Sequence, residues 1–125
     1  MASFQDWLAF AEDDLKNANI LKDQKSTSGA CFHAQQAAEK SLKALILSKG
    51  EEVPRVHNLG FLLEKLYLPE LKSAGEFLET FYIEARYPDA TPGTFAEKLP
   101  SEEEAEKAVE CATKIINLVK SRIKL

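Results

Sequence analysis

A chain of 125 residues is long enough to bury a hydrophobic core and short enough to need only one domain, spanning residues 1–125. Its 45% hydrophobic and 29% charged residues match a water-soluble globular protein, and a formal net charge of -4 gives no overall field to recruit nucleic acid. Two cysteines, Cys31 and Cys111, are too few for a disulfide framework or a self-sufficient zinc site. The run MASFQDWLAF lacks the basic and apolar regions of a signal peptide, and no window is apolar for the ~18 residues a membrane span needs. The expectation is a cytoplasmic protein that does not enter a membrane.

In chain order, Ser3 caps a first helix with Asp6 in its first turn. Phe4, Trp7, Leu8, Ala11, Leu15, Ala18 and Leu21 then recur at helical spacing to about Lys22. A polar connection, QKSTSG, leads to the central stretch ACFHAQQAAEKSLKALIL, Ala30 to Leu47. Ala30, Ala34, Ala37, Ala38, Ser41 and Leu45 share one side of it, small enough for another helix to approach closely. Only a narrow strip (Gln36, Glu39, Lys40, Lys43) is clearly polar, which predicts a central, buried helix. It stops near Gly50. Asn58 caps a short third helix carrying Leu59, Leu62, Leu63 and Leu66, and Pro69 separates that from a fourth, Glu70 to Tyr87, weakened at Gly75 and ended by Pro88. After the loop DATPGTFAEKLP, the capping box Ser101/Glu104 opens a last helix. Its stripe is Ala105, Ala108, Val109, Ala112, Ile116, Val119 and Ile123. No segment alternates like a strand. The predicted architecture is all-α, an up-and-down antiparallel bundle of four long helices and one short one.

Motifs for catalysis or cofactors are missing. The chain has no glycine-rich phosphate loop, HExxH, GxSxG or paired Glu-x-x-His, so no cofactor, no metal and no DNA-binding motif is expected. His33 and His57 lack acidic or histidine neighbours at ligand spacing and read as structural. Gln35, Gln36, Glu39, Lys40 and Lys43 read as a solvated face with a Glu39–Lys43 pair at i,i+4. On the fourth helix Glu79, Tyr82 and Arg86 form a column away from the Phe77/Phe81 stripe. A guanidinium beside a phenol at a helix end suits an anion or phosphate, the bland alternative being a Glu79–Arg86 surface pair. Ile83 and Tyr87 form an apolar pair outside the stripe, which predicts a partner surface.

The ordered set WLAFAEDDLKNA, CFHAQQAAEKSLKALILSKG, HNLGFLLEKL and YIEARYPDA resembles the HEPN domain of prokaryotes. The resemblance implies a four- to five-helix bundle, a homodimer, nucleotide or RNA binding, and pairing with a minimal nucleotidyltransferase in toxin–antitoxin-like couples. Under it Arg86, Tyr82, Tyr87, Lys40, Lys43 and Gln36 become ligand contacts, and Ile83 with Tyr87 the dimer interface. Catalytic members are metal-independent ribonucleases with an Arg and a following His separated by four to six intervening residues. Arg86 matches the Arg, but Thr91, Pro92 and Gly93 stand where the His would be. No catalytic residue is therefore assigned. A ribonuclease toxin would need a displaced base such as His57 beside Arg86, and a purely structural dimer is the remaining alternative.

Overall fold

The computed structural model describes residues 1–81 and 99–123. Over these the chain is helical, with no strand: α1 (Phe4–Asp23), α2 (Thr27–Ser48), α3 (Leu59–Lys65), α4 (Lys72–Glu79) and α5 (Glu102–Arg122). The ends lie where local chemistry puts them. Ser3 with Asp6, and Ser101 with Glu104, form reciprocal capping boxes, and the Asn58 side chain accepts from the Phe61 N–H. The last turn of α2 is left through Gly50 at φ 82, a conformation that costs glycine little. The segment expected from Glu70 opens with a 3-10 turn at Pro69–Leu71 and continues as α4. Its remainder, including Tyr82, Ile83, Arg86 and Tyr87, lies outside the described residues.

The central helix is α2, which packs against each of the other four α-helices. Ala30, Ala34, Ala37, Ala38 and Ser41 are fully buried and Leu45 is nearly so. A row of methyl-sized side chains brings α1 and α5 close to the α2 backbone and keeps dispersion contacts dense. The predicted α5 stripe is buried throughout, joined by Ile115. Gly75 has a packing reason. A Cβ built there would lie 2.6 Å from Leu63 Cδ1, so α4 uses the missing side chain to seat against α3.

One expectation needs correcting. The polar strip of α2 is not a solvated face: Gln35 is 0% exposed and Glu39 and Lys43 are each 4% exposed. The cause is tertiary. Trp7 from α1 lies against Lys43, and the loop between α2 and α3 brings His57 onto Glu39.

Candidate functional site

Two carboxylates, each drawing a histidine and a lysine, organise the polar side of α2. Asp14 projects from α1, three residues beyond Ala11 and four before Ala18, inside that helix's buried stripe. A carboxylate in such a position needs partners. It has two: His33 Nδ1 at 2.8 Å from Oδ1, and Lys40 Nζ donating to Oδ2 at 2.7 Å. Phe32 closes the cluster with an edge-on contact to the His33 ring at 5.4 Å between centroids.

Glu39 organises the second cluster. Its Oε2 accepts from Lys43 Nζ at 2.9 Å and faces His57 Nδ1 at 2.8 Å, while Gln35 Nε2 reaches Oε1 at 3.4 Å. Gln36 in turn donates to Gln35 Oε1 at 2.7 Å. The Lys43 and Glu39 side chains are each 5% exposed, whereas that of His57 is 55% exposed. Because a carboxylate only accepts, the neutral His57 ring carries its proton on Nδ1 and has Nε2 as its acceptor atom. Glu79 completes this end by accepting from the Leu59 N–H at 2.8 Å at the start of α3. Burial raises the Glu79 carboxyl pKa, with the charge of Glu39 adding, against the lowering effects of the Leu59 N–H and His57.

The fold thus joins residues that sequence spacing kept apart. His57 and Glu39 come from a loop and a helix; His33 and Asp14 from α2 and α1. Of the expected ligand contacts, Lys40 sits at a 26% exposed position tied to Asp14, Lys43 is buried against Glu39, and Gln36 is bonded to Gln35. Tyr82, Arg86 and Tyr87 lie outside the described residues. Sequence reasoning missed Asp14, although its place within an apolar stripe was the signal. It also missed Glu39 as an organising group, for which an i,i+4 pair with Lys43 gave no hint of burial. Among the described residues no three His, Cys, Asp or Glu side chains converge to hold a metal ion, and no helix is long and apolar enough to cross a membrane.

A model of the HEPN domain family matches residues 4–122. The chain is 36% identical to a Thermus thermophilus protein of known crystal structure, with a TM-score of 0.87 over 98% of this chain and 99% of that one. It is 35% identical to an archaeal HEPN homologue, with a TM-score of 0.82 over 99% and 100% of the two chains. It is also similar to a protein of Methanocaldococcus jannaschii named as a candidate toxin, at 24% identity over 127 residues, covering 91% of this chain and 84% of that one.

Proposed function

The chain belongs to the HEPN domain family, and on that footing we propose that it is the HEPN half of a toxin–antitoxin-like pair. It acts as a cytoplasmic homodimer that binds a nucleotide or RNA and docks a minimal nucleotidyltransferase. The observation that carries the reading is the placement of His57: a half-exposed ring whose orientation is held by a buried carboxylate at 2.8 Å. With Nδ1 on the carboxylate, a ring so fixed meets a ribose hydroxyl, whose O–H donates to Nε2, with little rotamer freedom to lose on binding. Arg86 with Tyr82 supplies the planar fork for phosphate, and Ile83 with Tyr87 the apolar contact between protomers. Similarity to a protein named as a candidate toxin supports the same class.

Calorimetric titration of the purified protein with nucleotides and short RNA, with co-purification against any minimal nucleotidyltransferase that a neighbouring gene encodes, tests this. Arg86→Lys is expected to lower affinity while thermal stability barely moves. Unchanged binding in both Arg86→Lys and Arg86→Ala would retire Arg86 as a contact, whereas no binding by the parent protein would favour the purely structural dimer.

The Glu39–His57 pair also favours a second reading, a metal-independent ribonuclease in which His57 replaces the base missing after Arg86. A carboxylate on Nδ1 sets the tautomer whose Nε2 takes a proton from a 2′-hydroxyl. The binding reading expects no RNA cleavage. Cleavage that survives purification, and is lost in both Arg86→Ala and His57→Ala, would replace it with the second.

A further inference from the structure

Phe10 stands 66% exposed on α1, one turn beyond Trp7. Together with Ala2, Asp6 and Lys40 these two rings line a notch of about 270 Å³. Its size suits one planar ring system and falls below the usual range for pockets that take drug-sized ligands. Neither of its two charges is bare. Asp6 Oδ2 accepts the Ser3 N–H at 2.9 Å in the helix cap, and Lys40 donates to Asp14. Both rings are also braced by ammonium groups from α2: Lys40 Nζ is 5.8 Å from the Phe10 centroid and Lys43 Nζ 5.8 Å from that of Trp7. A flat ring entering the notch therefore meets aromatic surface without stranding a charge.

We infer that this notch is a stacking subsite for the base of the bound nucleotide or RNA, with Trp7 and Phe10 as the platform. The inference rests on the nucleotide-binding reading above and adds a place for the base. Lys40 spends one of its three donors on Asp14 and keeps others for the sugar–phosphate leaving the notch. Stacking on aromatic side chains accepts any base, because each has a π-face, so the subsite gives affinity with little sequence preference.

The chain contains a single tryptophan, so emission excited at the red edge, where tyrosine does not absorb, comes from Trp7 and reports on this notch. Adenosine monophosphate is expected to quench Trp7 saturably, with a midpoint matching that from calorimetry, and ribose 5-phosphate to leave it unchanged. Phe10→Ala, an exposed substitution that the fold tolerates, is expected to weaken adenosine monophosphate binding at least about fivefold, the lower end for loss of one stacking contact. Calorimetric binding with Trp7 emission unchanged, or with wild-type affinity in Phe10→Ala, would overturn the subsite and leave the nucleotide-binding reading standing. No calorimetric binding of adenosine monophosphate or a short single-stranded RNA would overturn both. Emission that follows protein dilution and ignores ligand would mean that a second copy of the chain covers the notch, which also overturns the subsite.

Discussion

Lys43 and Glu39 hold opposite charges where water scarcely reaches, and removing Lys43 leaves the Glu39 carboxylate in the interior with only His57 and Gln35 to answer it. Lys43→Met is expected to cost about 3–5 kcal/mol, the range for breaking a buried pair, while Lys43→Met with Glu39→Gln recovers much of that loss. Urea unfolding of the two variants beside the parent measures both. Glu79 gives a pH signature. Its raised carboxyl pKa means that the folded chain keeps a proton to higher pH than the unfolded chain, whose glutamates titrate near ~4.3. The stability this contributes is complete below ~4.3 and is lost as pH rises through the raised folded value. Glu79→Gln retains an acceptor for the Leu59 N–H and has no such decline. Its stability relative to the parent should therefore grow with pH across that window in melts at stepped pH; a flat difference would contradict the assignment. At Cys31, burial with Glu104 adding pushes the thiol up to about 12, and burial raises Cys111 as well. Thiolate is the reactive form, so mass spectrometry after alkylation at neutral pH should find Cys31 unmodified in the native protein and labelled in denaturant.

Among the elements, α3 shows how a seven-residue helix persists. It is too short to be stable alone, and it is fixed by Asn58 at its cap, Glu79 on the Leu59 N–H and Leu59, Leu62 and Leu63 in the core. Gly75 beneath it sets two effects against each other. Alanine gains about 1 kcal/mol of helix propensity in α4 but drives a methyl to 2.6 Å from Leu63 Cδ1. Overpacking of this kind costs about 1–3 kcal/mol, so Gly75→Ala is expected to be destabilising on balance. A rise in melting temperature would show that Leu63 yields freely. The capping boxes were readable from sequence because a cap is local: the Ser101 hydroxyl accepts from the Glu104 N–H three residues away at 3.0 Å. Ser101→Ala should cost about 1 kcal/mol.

At the scale of the whole molecule, α2 touches every other α-helix among the described residues, and its polar side couples α1 to the α2–α3 loop through Trp7, Lys43, Glu39 and His57. Surface pairs such as Lys120–Glu12 and Arg122–Glu70, at 3.6 and 3.5 Å between half-exposed side chains, add at most about 1 kcal/mol each. They show the basic residues late in α5 in structural use. The homodimer proposed above is an equilibrium that sedimentation reads directly. The parent is expected as a dimer at micromolar concentration, shifted toward monomer by Ile83→Asp. A monomer unaffected by that substitution would remove the interface from the proposal.

The sequence by itself determined the helical class, the centrality of α2 and most helix ends, because 3.6-residue periodicity and caps act within a few residues of chain. The stripes from Ala30 to Leu45 and Ala105 to Ile123 are buried as their spacing required. Only the tertiary structure decided the candidate site. His57 meets Glu39 across 18 positions, Lys40 meets Asp14 across 26, and Leu59 meets Glu79 across 20. A polar residue on a lone helix is compatible with water or with a buried partner. Which it meets is set by what folds over it, and here Trp7 and the His57 loop cover the strip and turn Glu39 and Lys43 into interior charges.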